Sequence, residues 1–339
     1  MLTVLLATKN RIQILLEVLE SYCKLAAPAS GWKLVIVDNG STDGTFDIVC
    51  RFATRLPLHV IREPKQGKNS ALNKGIELAE GDLIVLTDDD AFPSPDWLVQ
   101  LRKVADEQVD YSIFGGVVKP HWEISPPSWA QWIDLGPTFT VTDPTLEEGP
   151  IEAHHVFGPN MAIRMSTFQA GARFDSTIGP NGSNYAMGSE TELVLRLASQ
   201  GHKAWHAKDA VVGHYIRREQ LDLHWVFQRG VRFGRGQYRL YRQREDANVW
   251  SIFGIPIYLF RRALKQAVLA GFDRIFLDKK SYIGARWRLN VLIGQMIEAG
   301  NVNAGRKMSR SSHPELAVQS PLREPHSLSS EQHNDNQLT

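Results

Sequence analysis

"GKNSALNKGIELAEGDLIVLTDDD", residues 67 to 90, decides the fold. Its first part, from Lys68 to Ala79, carries apolar residues at helical spacing. Its second, Leu83 to Leu86, is a short apolar run suited to a buried strand. The strand finishes in Asp88-Asp89-Asp90. Three consecutive carboxylates repel one another and gain nothing from an apolar core, so something positive should face them.

The same alternation runs upstream. "LTVLLAT" reads as a strand, "RIQILLEVLESYCKL" as a helix, "WKLVIVDNG" as a strand, "GTFDIVCRFATRL" as a helix and "LHVIREP" as a strand. Strand and helix in turn predict the α/β class, with a mostly parallel sheet flanked by helices on both faces. Such sheets bind ligands beyond the carboxyl ends of their strands. Three strand ends are polar: Thr8-Lys9-Asn10-Arg11, Asp38-Asn39-Gly40 and the aspartate triplet. They are expected to converge on one crevice.

Downstream the pattern loosens. "HWEISPPSWAQWIDLGP" reads as an irregular covering loop, and "VFGPNMAIRMSTFQAGARFD" as a strand, a short helix and a turn. "GSETELVLRLASQGHKAW" holds an amphipathic helix, and "AVVGHYI" a short strand ending near His214. After residue 216 the chain turns basic and aromatic; "WSIFGIPIYLFRRALKQAVLAGFDRIF" is its most apolar stretch, amphipathic rather than membrane-spanning. The expected division is a catalytic domain over 1–215, a basic, amphipathic helical region over 216–302 and a disordered tail over 303–339.

A formal charge of +1 over 339 residues gives no global field for nucleic acid. Two cysteines, Cys23 and Cys50, read as buried free thiols in a reducing compartment, and no spacing suggests zinc. "MLTVLLATKNR" lacks a basic signal-peptide region and reads as an immediate strand. The expected location is cytoplasmic.

Four segments could carry chemistry. A carboxylate cluster at a strand end suits magnesium or manganese, with strand alternation pairing Asp88 with Asp90; a solvated turn is the plainer alternative. In "VDNGSTDGT" the ligand pattern of a calcium loop fails, leaving Asp38 to recognise a base or ribose, or an Asx turn with Ser41 or Asp43 capping the next helix. Gly67-Lys68 before a helix suits an anion, although it is no Walker A loop. Glu190 and Glu192 are either acidic first-turn residues after a serine cap or a general base facing a crevice. His214 taken alone reads as a packed histidine.

Set in order, "ATKNR", "VDNGSTDGT", "GKNSALNKGIELAEGDLIVLTDDD", "FGPNMAIRMSTF", "GSETELVLRLASQGHKAW" and "VVGH" resemble the family 2 glycosyltransferases over roughly residues 1 to 215. The resemblance implies a GT-A, Rossmann-like fold and inverting transfer of a sugar from a nucleoside diphosphate sugar to an acceptor hydroxyl. Carried over, Thr8, Asn10, Arg11, Asp38, Lys68, Asp88 and Asp89 bind the nucleotide sugar, with Asn73 also near the nucleotide. Asp90 and His214 hold Mn2+ or Mg2+, and Glu190 is the base, with Glu192 as alternative. One departure stands out: the family commonly has Glu-Asp where this chain has Ser189-Glu190. The implied acceptor is a glycan or a lipid-linked molecule.

For the C-terminal region two readings remain, a helical cap completing the acceptor groove or a peripheral membrane contact over 250–272. In the second, Arg261, Arg262 and Lys265 meet headgroups while Trp250, Phe253, Ile257 and Leu259 enter the interface, at the inner face of the plasma membrane. Competing classes are a sugar-phosphate nucleotidyltransferase, whose glycine-rich first loop is missing from "ATKNRIQ", and a non-catalytic carbohydrate-binding relative.

Overall fold

The computed structural model describes residues 1–180, 185–242 and 249–311. Strand and helix alternate first as expected: β1 (Leu2–Thr8), α1 (Ile12–Tyr22), β2 (Trp32–Asp38), α2 (Thr45–Cys50), β3 (Leu58–Arg62), α3 (Lys68–Ile76) and β4 (Leu83–Leu86). These strands lie parallel in the order β3-β2-β1-β4. Alternation within each strand feeds two cores. Leu2, Val4 and Leu6 pack with Leu15 and Val18 on one face, whereas Leu5, Val35 and Val37 pack with Ala71, Leu72 and Ile76 on the other. Each such fully buried side chain stabilises by roughly 1.5–3 kcal/mol, which is why both faces of a parallel sheet are apolar.

Beyond β4 the sheet becomes mixed. β5 (Ala91–Pro93), α4 (Trp97–Glu107), β6 (Ile113–Trp122), α5 (Leu135–Phe139), β7 (Gly149–Ile151), β8 (Met161–Arg164), α6 (Met165–Gln169), α7 (Ser189–Ser199) and β9 (Ala204–Ile216) follow. β8 is antiparallel to both β4 and β6, β5 and β7 are antiparallel to β9, and only β6 and β9 pair in parallel. β9 is longer than the "AVVGHYI" run suggests, because Lys208 and Asp209 interrupt its apolar pattern. Opposite Gly116 and Val117 its register jumps from Ala207 to Val211. Asn160 fastens this bulge: its amide donates to the carbonyls of Val117 (3.0 Å) and Ala210 (2.8 Å), and its oxygen accepts from Trp97 Nε1 (2.8 Å).

The C-terminal region is helical. α8 (Leu223–Gln237) runs into a π-helical turn over Tyr238–Arg242; a hairpin of β10 (Ser251–Ile252) and β11 (Ile255–Pro256) then leads to α9 (Ile257–Ile275) and α10 (Lys279–Ser311). Two glycines let α8 and α10 touch. A Cβ on Gly234 would stand 1.9 Å from the Val291 oxygen, and one on Gly294 2.0 Å from the Val231 oxygen. Glu298 of α10, fully buried, accepts from Arg235 Nε at 2.8 Å and from Arg239.

Several expectations need correction. Cys23, at the C-terminal end of α1, is half-buried, and Cys50 is exposed because α2 is one short helix with only Thr45 and Val49 turned to the core; both are free. Leu259 packs in a buried cluster with Tyr238, Leu292 and Ala299, so it is withdrawn from any interfacial face. α10 is described as far as Ser311, and the rest of the expected tail, residues 312–339, lies outside the described residues. No helix among the described residues is long and apolar enough to cross a membrane.

Candidate active site

Register alone aligns the strand ends, since Thr8 at the end of β1 lies beside Asp38 at the end of β2, and β4 stops on the other side of β1. In the turn that follows β4 the aspartate triplet divides, Asp89 to one side and Asp88 with Asp90 to another. Asp89 turns toward β1, accepting from Thr8 Oγ1 at 2.7 Å with Arg11 Nε at 3.9 Å. Burial and the neighbouring Asp90 charge push the Asp89 carboxyl up to about 7, against the pull of Arg11 and Thr8. Asp88 and Asp90 face elsewhere. Lys68, the first residue of α3, pairs with Asp88, while Asp90 lies 3.5 Å from His214 Nε2 and 3.7 Å from Arg217 Nη1.

The His214 ring is set from behind. Its Nδ1 donates to the Phe139 carbonyl at 2.6 Å, which turns the other nitrogen, Nε2, toward Asp90. That carbonyl ends α5, where Thr140 adopts a left-handed φ of 59°. Arg229 of α8 holds the turn, donating to Pro137 O (3.3 Å) and Thr140 Oγ1 (3.1 Å). Asp88, Asp90 and His214 bring ligand atoms within 4.8 Å of one another. Two carboxylates and an imidazole fit a hard divalent cation.

Glu190 lies across from the triplet. Lys68 Nζ reaches its Oε1 at 2.7 Å, and the Ser189 hydroxyl donates to its Oε2 at 2.7 Å. Burial acts to raise the Glu190 carboxyl, but Lys68 and Ser189 outweigh it and hold it at about 2. Burial likewise opposes the Lys68 charge, yet Asp88 and Glu190 keep the ammonium well above the usual lysine range. Room for the glutamate comes from Gly158, where a Cβ would fall 2.7 Å from Glu190 Cγ. Glu192 lies elsewhere on the helix, held by Arg196 one turn on at 2.7 and 3.0 Å.

Two cavities meet at this point. A crevice of about 370 Å3 is lined by Thr8, Arg11, Asn39, the aspartate triplet and His214. A larger cavity of about 830 Å3 is lined by Glu190, His154, Phe157, Tyr185, Leu240 and Trp287, among others. Lys68, Asp88 and Pro180 border both. The Trp- and Pro-rich segment read as a covering loop supplies Ile133 to Pro137 of the larger wall.

Three residues singled out from the sequence are placed as scaffolding rather than lining. Asn10 takes a left-handed φ of 53° and accepts from the Thr42 amide at 2.8 Å. Asp38 is 1% exposed and accepts from the Ser41 amide at 3.2 Å, an Asx turn, while Asp43 accepts from the Thr45 amide at 3.0 Å. Asn73 pins Phe174 through two 2.9 Å bonds. Sequence reading missed Asn39, which donates to Glu63 O and Lys65 O and accepts from the Gly67 amide, shaping the loop that presents Lys68. Arg217, Arg229 and Gly158 were missed too; "FGPN" and the basic run after residue 216 were the available signals.

The Glycosyl transferase family 2 profile matches residues 3–171, which carry β1, the Asp38 turn, Lys68 and the aspartate triplet in order. The chain belongs to glycosyl transferase family 2. Among curated proteins it is similar to the glucosyl-dolichyl phosphate glucuronosyltransferase of Haloferax volcanii, 24% identical over 169 residues, covering 48% of this chain and 52% of that protein. The chain thus spans about half the length of that relative. Another family 2 relative from Haloferax volcanii, Glycosyltransferase AglE, is 23% identical over 260 residues, covering 76% and 79% of the two chains. Among solved structures, the Pyrobaculum calidifontis mannosyltransferase PcManGT, in complex with GDP-Man and Mn2+, superposes with a TM-score of 0.53 at 18% identity, covering 92% of this chain and 79% of that one. The architecture is therefore of the GT-A type, with a mixed sheet flanked by helices.

Proposed function

We propose that this family 2 chain is an inverting glycosyltransferase, moving a sugar from a nucleoside diphosphate sugar to an acceptor hydroxyl of a glycan or lipid-linked molecule. The observation that carries the reading is the shared border of the two cavities. Lys68 bridges Asp88 on the crevice side and Glu190 on the side of the larger cavity, as a donor and an acceptor meeting at one carbon require.

In this reading Thr8, Arg11, Lys68, Asp88 and Asp89 surround the nucleotide sugar, while Asn10 and Asp38 shape the loops at its base end. Asp88, Asp90 and His214 would hold Mn2+ or Mg2+, which supplies positive charge to offset that building on the departing diphosphate. Glu190, ionised at neutral pH, takes the proton of the acceptor hydroxyl. The acceptor oxygen forms its bond to the anomeric carbon as the carbon–oxygen bond to the diphosphate breaks, and the electron pair leaves with the diphosphate. Donor phosphates compete with Glu190 for Lys68; losing that ammonium strengthens the base when it is needed.

A non-catalytic relative is disfavoured by the ionised carboxylate at 190, and a nucleotidyltransferase by the glycine-free loop after β1. The C-terminal helices complete the acceptor side, and residues 250–272 give the chain a peripheral hold on the cytoplasmic membrane face. The test is release of nucleoside diphosphate from a panel of sugar nucleotides with manganese. Manganese-dependent release from one of them is expected; none from any would sink the reading, and pyrophosphate formation would favour the nucleotidyltransferase.

A further inference from the structure

Beyond Glu190 the large cavity continues. Its walls Phe233, Gln237, Tyr241 and Trp287 are also walls of a second groove, of about 660 Å3, between α8, α9 and α10. Arg262, Lys265 and Arg288 line that groove, and no carboxylate does among the described residues. Gln266 accepts from Arg288 Nε at 3.0 Å and aligns its guanidinium, while Arg262 and Lys265 enter no ion pair among the described residues. A cationic groove opening onto an acceptor cavity asks for a phosphate.

The other side of α9 says where the phosphate comes from. At 3.6 residues per turn, Phe260, Leu264, Val268 and Ile275 share one side of the helix, and Leu264, Val268 and Ile275 are 68%, 63% and 76% exposed. Trp250 and Phe253 before the helix, and Phe276 and Leu277 after it, are more exposed still or nearly so. An apolar face of this extent in water marks an interaction surface. Its borders are basic, with Arg261, Lys265, Arg274, Lys279 and Lys280, against Asp273 and Asp278. That distribution matches an anionic bilayer rather than a second copy of the same basic surface.

We propose that the acceptor is a phosphate-bearing lipid: α9 lies in the bilayer interface, the lipid's phosphate sits between Arg262, Lys265 and Arg288, and its sugar or head hydroxyl reaches Glu190 through the shared cavity. The proposal rests on the transferase reading and names the acceptor class for it.

The test uses the full chain and three vesicle types: neutral phosphatidylcholine, phosphatidylcholine with phosphatidylglycerol, and phosphatidylcholine carrying a polyprenyl diphosphate at matched surface charge. Flotation should show binding in the order polyprenyl diphosphate, phosphatidylglycerol, neutral. Arg262→Gln with Lys265→Gln should remove the preference for the diphosphate, at roughly five-fold per cation in low salt. Leu264→Glu with Val268→Glu should abolish binding to all three. Equal binding to the two anionic vesicles, an undiminished double glutamine variant, or equal competition by free inorganic diphosphate would overturn the proposal. Manganese-dependent donor hydrolysis without vesicles should be unchanged in the Leu264→Glu/Val268→Glu variant. Failure of the transferase reading would instead leave vesicle binding intact and every donor unturned.

Discussion

The two sides of the active site are built by different means. On the crevice side, each aspartate of the triplet has a near partner on a local element: Asp89 with Thr8 at the end of β1, Asp88 with Lys68 at the start of α3, Asp90 with His214 of β9. On the cavity side, positions are set by helices meeting across long sequence distances, as with Arg229 on Thr140 and Gly234 against Val291. The first side is polar and nearly complete in the chain itself. The second is largely apolar and leads away toward an exposed helix.

The sharpest way to break this contrast is at the residue joining the halves. Glu190→Gln keeps the shape but removes the proposed proton acceptor, and turnover should fall by about 10²–10⁴-fold with donor affinity little changed. Full turnover in that variant would leave the base unassigned. Next in size is Gly234→Leu. Because even a Cβ meets the Val291 backbone, α8 and α10 must separate, at about 3 kcal/mol or more, read as a lowered thermal midpoint. Donor binding in the crevice should survive if the halves are as independent as they look.

A smaller effect links the sides. Arg229→Ala frees the 137–140 turn whose Phe139 carbonyl orients His214, so manganese affinity measured by calorimetry should weaken about tenfold. Arg229→Lys should restore part of it. Smallest is a pH effect on the sheet itself. His206 is buried, donates Nδ1–H to Gly115 O at 3.1 Å and leaves Nε2 unpartnered. Burial lowers its folded pKa, outweighing Gly115 and Glu148, with Lys208 and His155 adding to the lowering. The unfolded chain therefore takes up a proton first. The His206 contribution to stability should be constant above about pH 7 and fall as pH drops through about 6.5 toward the folded value, on top of whatever the carboxylates contribute. His206→Gln should flatten that fall in thermal midpoint.

Legibility followed the same divide. The crevice could be read because its elements are local: an apolar run, its polar end and the next helix lie within a few residues, as in Leu83 to Asp90. Asp88, Asp89 and Asp90 were visible as charges where a core should not have them, and Lys68 and Glu190 as charged residues opening helices. Antiparallel β5 and β7 were not, since three-residue strands leave no period to count. The Asx turn at Asp38 was one of its two sequence readings, but that Asn10 spends its side chain on the Thr42 loop and that Glu192 is claimed by Arg196 came only from the structure. The exposed face of α9 was half seen: its basic flank was evident, but Leu259 and Leu264 look alike until α10 covers one of them.

The bulge in β9 has a consequence in phase. Lys208, Asp209 and Ala210 are extra residues between the two stretches that pair with β6, and three is an odd number. Side chains alternate with period two, so an odd excess turns the later stretch over relative to the earlier one. His206 and His214, an even distance apart in sequence, are thereby put out of step, one locked beneath a strand and the other delivered to Asp90. Asn160 keeps that count by closing the bulge. Deleting a single residue there should turn His214 away from Asp90 without changing any residue of the site itself.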